Sequence, residues 1–367
     1  MLAGVATLCA QEAPLGNSVK INLPADSPLT LISANLGESH VSQRGSAMVV
    51  DLDVSLTLHN ASPKSVRGVT LLVAAQEFTP GGKAAVSVPS LDVGPDQNFP
   101  VHVKLRLLRP AQMGAGPLVQ VNLDGVLFQD FSFYGPNRLD CRRTMTAWEM
   151  QAERDRKYFK SILASRGLNG LKQAMLESLN RQAERPRLDV QVSRGRAVGS
   201  AAVAAHDEQF AFLHFPGAPV EPVDGWAEVS GSEARNPRID VRNLSSRPVR
   251  YVEIGWIVSD RAGHRFLAAS VPASGPTFNL KAGSTSRVLQ DTELRFSRDG
   301  GPVSIAGMTG FVGQVEFADG TVWIPNRAAL ANARLLGILP PSPEEQRLMD
   351  LYRKKGPQAL ADELNRF

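Results

Sequence analysis

The sequence predicts a mainly β protein: two antiparallel β-sandwiches, each followed by helices. Three observations carry this expectation. Runs of residues alternate between apolar and polar with a period of two, a series of landmarks returns in the same order in the second half, and a stretch rich in helix formers follows each β region. The chain has 367 residues and 43% apolar composition, enough for two domains with cores of their own. The expected division is a signal remnant and disordered start at 1–16, a first sandwich at 17–138 and a basic helical linker at 139–186. A second sandwich follows at 187–327, and C-terminal helices occupy 328–367.

The start of the chain, with Leu2, Ala3, Val5, Ala6, Leu8, Cys9 and Ala10, reads as the apolar core and cleavage region of a secretory signal without its basic front. This implies a periplasmic or secreted protein. Leu8 is larger than the residue a lipoprotein signal places before its cysteine, which argues against lipidation of Cys9. No other apolar run approaches the ~18 residues needed to span a bilayer.

The β reading begins at Val50. Val50, Leu52, Val54, Leu56 and Leu58 point one way, and Asp51, Asp53, Ser55, Thr57 and His59 the other. Val101 to Leu107, Val119 to Leu123 and Val252 to Trp256 repeat the pattern. Each such strand offers one apolar face that a second sheet must cover. Short strands with frequent turns favour a sandwich of immunoglobulin type.

The repeat is anchored at Asn60-Ala61-Ser62 and Asn243-Leu244-Ser245, an offset of 183, with Arg67 and Arg250 at matching positions beside strand valines. Asp124-Gly125 and Asp319-Gly320 are paired as hairpin turns in which glycine accepts positive φ. Pro136-Asn137-Arg138 returns as Pro325-Asn326-Arg327, an offset of 189, and Leu179-Asn180-Arg181 as Leu364-Asn365-Arg366. Both Asn60 and Asn243 match the glycosylation sequon, but their place in the repeat explains them as turn residues.

Helices are expected over 144–166, with Trp148, Ala152, Phe159 and Ile162 on a stripe broken by Asp155. A second stripe of Leu168, Leu171, Met175 and Leu179 follows Gly167 and Gly170. Ser342-Pro343-Glu344-Glu345 is a capping box with Pro at the first helical position, and Gly356-Pro357 stops that helix. Each helix is expected to pack on its own sandwich or between the two. Residues 142–187 carry a net charge of +6 against −2 for the remainder. The overall +4 is too small to indicate nucleic-acid binding, and an anionic membrane surface is a minor alternative to plain solvation.

In the second half, Ile239-Asp240-Val241-Arg242-Asn243-Leu244-Ser245, Pro248-Val249, Trp256-Ile257-Val258-Ser259-Asp260, Gly263 and Leu280-Lys281-Ala282-Gly283-Ser284 resemble the bacterial Ig-like domains of the FxLyD type, found in secreted and envelope proteins. The aromatic-x-Leu-Tyr-Asp core of that family is present only as Trp256 to Asp260, and the first half has Val73-Ala74-Ala75-Gln76 in its place. The resemblance implies a non-catalytic sandwich with no active site to transfer.

Motifs for zinc proteases, serine hydrolases, phosphate loops and calcium loops are absent from the sequence. His206-Asp207-Glu208 sets three possible ligands side by side, but on a strand neighbours face opposite ways and cannot close around one ion. Cys141 reads as a small buried apolar residue. Arg138 and Arg327 are expected to bond junction carbonyls or a carboxylate and to hold a helix against the sheet. Trp226, Trp256 and Trp323 form a candidate sugar platform, against the simpler reading that Trp256 and Trp323 anchor the core. These features point to a non-catalytic exported binding or scaffold protein that meets a protein or envelope partner, with no cofactor or metal. A carbohydrate-binding module is the alternative, and a hydrolase using Cys141 or the His206 cluster stands third. The candidate binding or structural residues are Arg67, Arg250, Arg138, Arg327 and Trp226. The oligomeric state is left open.

Overall fold

The chain divides into two compact units, Met1–Glu149 and Met150–Phe367. The computed structural model describes residues 13–14, 18–76, 81–111, 117–194, 205–272, 277–289 and 292–367. The signal-like start and Cys9 lie outside them. The described chain is mostly β, in antiparallel sheets with few helices, and among the described residues no helix is long and apolar enough to cross a membrane.

In unit 1 the strands are β1 (Ala13–Pro14), β2 (Val19–Asn22), β3 (Leu29–Asn35), β4 (His40–Arg44) and β5 (Ala47–Asn60). They continue with β6 (Val66–Ala74), β7 (Lys83–Val88), β8 (Asn98–Pro110), β9 (Val119–Phe128) and β10 (Phe133–Tyr134). The long strand β5 organises one sheet. It pairs along one edge with β8 and along the other with β4 and β3 in succession, and β1 adds to β4. The second sheet runs β7, β6, β9, with β2 parallel and β10 antiparallel on the outer edge of β9. The alternation read from Val50 is seen directly: Val50, Leu52, Val54, Leu56 and Leu58 are buried, and they share one core with Val69, Leu71 and Val73 of β6 and Val121 of β9. Their burial keeps the two sheets together, at ~1.5–3 kcal/mol per large apolar side chain.

Helix α1 (Cys141–Glu184) spans the division between the units. Unit 2 continues with β11 (Asp189–Arg194), β12 (His206–Gln209), β13 (Ala211–Leu213), β14 (Val220–Ser230), β15 (Glu233–Asn243) and β16 (Val249–Asp260). After these come β17 (Arg265–Pro272), β18 (Thr285–Leu289), β19 (Thr292–Arg298), β20 (Gly301–Pro302), β21 (Ile305–Phe317) and β22 (Val322–Trp323). Helices α2 (Arg327–Asn332) and α3 (Pro343–Arg366) end the chain. Strand β15 takes the central role that β5 has in unit 1, between β14 on one edge and β19 and β18 on the other. The second sheet runs β17, β16, β21, with β13 parallel and β22 antiparallel beside β21. Val241, Ile254, Trp256, Phe296 and Val315 lie in one core drawn from both sheets.

Several expectations need correction. Asp124-Gly125 is not a hairpin turn but lies inside β9. Gly125 is required there because the Phe133 ring and the Cys141 sulfur occupy the space a Cβ would need. The hairpin that matches the turn at Asp319 runs through Asp130, where Ser132 N–H bonds Asp130 Oδ1 at 3.0 Å as Thr321 N–H bonds Asp319 Oδ1 at 2.9 Å.

Residues 139–186, expected as a helical linker, are packed along their length. The start of α1 packs Cys141 and Met145 against Leu127 of β9. After a break at Gly167 (φ 63°), its later half joins Phe159 to Leu171, Met175, Leu348, Leu360 and Leu364 in a core made of helices alone. Helix α3 is two helices that meet at Gly356 (φ 81°), so the first stops where Gly-Pro was expected to stop it and a second follows from Pro357. Helix α1, by contrast, runs through Gly170 without interruption. The helices of α1 and α3 therefore cover each other's apolar residues. In unit 2, α2 and the residues after it pack on a sheet, where Ala329, Leu330, Leu335 and Ile338 meet Phe215, Ile257 and Phe311.

Candidate functional site

The corner of each unit is built around one buried asparagine. In unit 1, Asn60 Nδ2 donates to the carbonyls of Lys64, Val93 and Gly94 at 2.9, 3.2 and 3.0 Å, and its Oδ1 accepts from Ser62 N–H and Oγ–H. In unit 2, Asn243 Nδ2 donates to the carbonyls of Arg247 and Leu280 at 2.8 and 3.1 Å, and Oδ1 accepts from Ser245 in the same two ways. Both asparagines are fully buried with their amides engaged, so the folded chain offers neither sequon for glycosylation.

A cation then crosses to the neighbouring hairpin. Lys64 Nζ reaches Asp130 at 2.7 Å and Ser132 Oγ at 3.0 Å, and Arg247 reaches Asp319 at 3.2 Å and Thr321 Oγ1 at 2.9 Å. The bond from Lys64, with those from Ser132, holds the Asp130 carboxyl well below the usual range. The Thr321 backbone and hydroxyl, with Arg247, lower that of Asp319.

On this common frame the corners also differ in how the first turn meets the last hairpin. In unit 1, Tyr134 Oη donates to Asp26 Oδ1 at 2.9 Å and ties the first turn to the last hairpin. Burial, with the Asp26 bond, raises the phenol's pKa. In unit 2 the turn matching residues 24–28 spans 215–219, since Ala218 N–H bonds Phe215 O as Ser27 N–H bonds Pro24 O. Gly217 stands in place of Asp26 there, and Trp323 in place of Tyr134. A cavity of about 410 Å³ lies between them, lined by Ala218, Pro219, Leu244, Arg247, Phe317 and Trp323 among others. A second cavity of about 190 Å³ shares Gly217, Ala218 and Leu244 with it and extends to His214, Phe215 and Glu221. Leu244 is 54% exposed at the junction, a large apolar side chain in water. The guanidinium of Arg247 lies 3.6 Å over the Phe317 ring. The arrangement offers an apolar floor, an aromatic wall and one cation.

Unit 2 also holds a buried charge network between its helices. Arg327 bonds Asp155 Oδ1 at 2.7 Å and Glu345 at 3.1 and 3.3 Å, and stacks 4.1 Å over Tyr158. Ser342, the N-cap of α3, donates to Asp155 Oδ2 at 2.6 Å and accepts from Glu345 N–H. The capping box is therefore half formed, because the Glu345 carboxylate turns to Arg327 and to Ser178 Oγ at 2.8 Å. Glu344, fully buried, faces Arg156 at 3.6 Å and Arg347 at 2.8 Å. Part of the basic excess of 142–187 is thus neutralised internally by carboxylates of α3.

Of the residues singled out in the sequence, Arg327 joins carboxylates, those of Asp155 on α1 and Glu345 on α3. Arg138 does not: its side chain is exposed, and it is its backbone N–H that donates to the buried Asp124 at 2.8 Å. Arg67 bonds Asp92 at 2.6 Å and Leu91 O at 3.3 Å, with Glu149 at 3.9 Å, and Arg250 pairs with Glu316. Trp226 is half-buried under the Arg238 guanidinium at 4.1 Å, whereas Trp256 lies in the core with its ring centroid 4.6 Å from that of Phe210. The three tryptophans do not share a platform.

Cys141 donates its thiol to Asp124 at 3.2 Å. Burial, reinforced by Asp124, pushes its pKa up to about 12, so the thiolate that a nucleophile needs does not form near neutrality. His206 lies 3.5 Å from Glu208 on β12, and among the described residues no three His, Cys, Asp or Glu side chains are grouped to hold a metal.

Sequence reasoning missed Asp155 as a functional group although it noted the break in the apolar stripe. It also missed the cleft, whose only sequence signal is Gly217 and Trp323 standing where Asp26 and Tyr134 stand in unit 1.

No family model matches the chain, and no curated protein matches it. Solved structures give distant likenesses: red sea bream transglutaminase at 8% identity and a TM-score of 0.13, covering 82% of this chain and 32% of that one, and β-glucosidase from Kluyveromyces marxianus with glucose at 10% and 0.17, covering 81% and 48%. The chain spans about a third of the first and half of the second. Likenesses at this level carry no argument about fold or function.

Proposed function

We propose that the chain is a non-catalytic exported binding or scaffold protein, in which two duplicated Ig-like β-sandwiches present surface to a protein or envelope partner and the cleft beside Leu244 is the point of contact. The observation that carries this reading is the contrast between corners. A shared frame is sealed by Tyr134 and Asp26 in one unit and left open, with an exposed leucine at its lip, in the other. Exposed apolar groups cost solvation unless something covers them, and a partner's apolar side chain fits that role. The charged side chains around the cleft are already paired, Arg247 with Asp319 and Glu221 with Arg242, so they fix its walls.

The test uses the full chain with a photo-reactive group at Leu244, and at the matching Ala61 as control, in an envelope extract. Position 244 should crosslink to a defined partner and position 61 should not. Equal labelling at both, or none at 244, would remove the cleft from the proposal.

A second reading, a carbohydrate-binding module, is favoured by one feature: Trp323 is half-buried in the cleft wall beside Thr321 and Arg247. Indole stacking of a sugar ring would quench fluorescence on titration with oligosaccharides, and Trp323→Phe would abolish the change.

A further inference from the structure

Sheet edges expose unpaired N–H and C=O groups, and proteins protect them with charge, proline or a covering segment. Most open edges here follow that rule. Strand β8 presents Lys104 and Arg106, β7 Lys83, β17 Arg265, β18 Arg287, and β11 Asp189. The edge of β14 is covered by β12 over Trp226 to Val229, and the uncovered part carries Glu221, Pro222 and Asp224.

Among the described residues, strand β3, Leu-Thr-Leu-Ile-Ser-Ala-Asn, has none of these protections. Among them it pairs only with β5, and beyond Leu29 all six of its residues are exposed, Leu31 at 38% and Ile32 at 57%. Among the described strands of five or more residues with an open edge, it alone lacks both charge and proline. The matching stretch of β14 makes the contrast sharp. Both strands carry a bulge at the same rung, at Ile32 and at Val223, and each bulge turns an apolar side chain outward. At the flanking positions, however, Thr30, Leu31 and Ser33 replace Glu221, Pro222 and Asp224.

We propose that β3 is a self-association edge, where two copies of the chain join β3 to β3 in antiparallel register about a two-fold axis. The occupant is a second copy because of the strand's charge. A two-fold axis sets a strand against itself, so any ionised side chain would face its own kind, and the stretch 29–35 contains none. Its backbone supplies a donor at every residue, which Pro222 denies to β14. Ile32 and Leu31 then cover their counterparts, removing two adjacent exposed apolar side chains from water. Two seven-residue strands bury less than the ~1,600 Å² of a standard interface, so the dimer is weak, with a dissociation constant on the order of micromolar. The inference is independent of the cleft beside Leu244.

Sedimentation velocity of the full chain over a concentration series up to ~100 μM tests it. The expected result is a concentration-dependent monomer–dimer equilibrium that the double substitution Thr30→Glu with Ser33→Asp weakens at least ~tenfold, while Leu244→Glu leaves it unchanged. The double variant transfers the charges of β14 to exposed positions. An independent readout is Ile32→Cys, which should give a covalent dimer on mild oxidation. A monomer at every concentration, a dimer indifferent to the double substitution, or a monomer that pairs only with an added foreign strand would each overturn the proposal.

Discussion

The corners at residues 24–28 and 215–219 have matching backbone hydrogen bonds, a buried asparagine and a cation reaching an aspartate hairpin, yet Tyr134 bonds Asp26 across one and a cavity lies at the matching place in the other. The frame depends on groups that must be satisfied wherever this turn forms, since an orphaned buried amide or carbonyl costs ~1–3 kcal/mol. The seal depends on two side chains that the frame does not need. The same frame can therefore stand in both units while one corner lacks this hydrogen bond and holds a cavity. The same contrast recurs at Arg138 and Arg327. They stand at one repeated position, but one side chain is in water and the other lies among Asp155, Glu345 and Tyr158.

The largest expected effect exploits that second contrast. Arg327→Ala leaves Asp155 and Glu345 buried without their cation and should cost ~3–5 kcal/mol in urea denaturation, read in unit 2 by hydrogen exchange. Arg138→Ala should change stability by less than ~0.5 kcal/mol. Equal losses would mean that the exposed arginine has a partner in solution and that the contrast is false.

Next come the asparagines. Asn60→Ala and Asn243→Ala should each cost ~2–3 kcal/mol in their own unit, with Asn60 the larger because it donates to three carbonyls and Asn243 to two. Tyr134→Phe should cost only ~1 kcal/mol. The reciprocal change, Gly217→Asp with Trp323→Tyr, should close the cleft and abolish crosslinking from Leu244. It carries a penalty of ~1 kcal/mol because Gly217 has φ +73°.

The smallest effect concerns pH. Because the folded Cys141 thiol titrates at about 12 instead of about 9, its contribution to stability is complete below pH 9 and is lost as the pH rises towards 12. Cys141→Ala should flatten that part of the alkaline profile, and in the native protein a thiol reagent should label Cys141 only after denaturation.

Much of the fold was legible because strand alternation is a local property: Val50 to Leu58 declare their buried face residue by residue, and the asparagine corners repeat a short motif. The hairpin at Asp130 was not, because Asp124-Gly125 offers a stronger turn signal and only the Phe133 ring and the Cys141 sulfur explain why glycine is needed inside a strand. Helix packing was misjudged for a related reason. An apolar stripe states that it must be covered but not by what, and Asp155 looks like a flaw in its stripe until Arg327 and Ser342 are brought to it from 172 and 187 residues away.

By itself, then, the sequence determined the periodicities, the turn residues and the repeated order of landmarks, since each follows from the backbone geometry of a few neighbouring residues. The tertiary structure alone decided which stripe meets which, which of two equivalent arginines is buried, and which corner stays open. Those outcomes depend on distances between residues far apart in the chain, where burial removes water and makes one missing hydrogen bond the difference between a closed turn and a cleft.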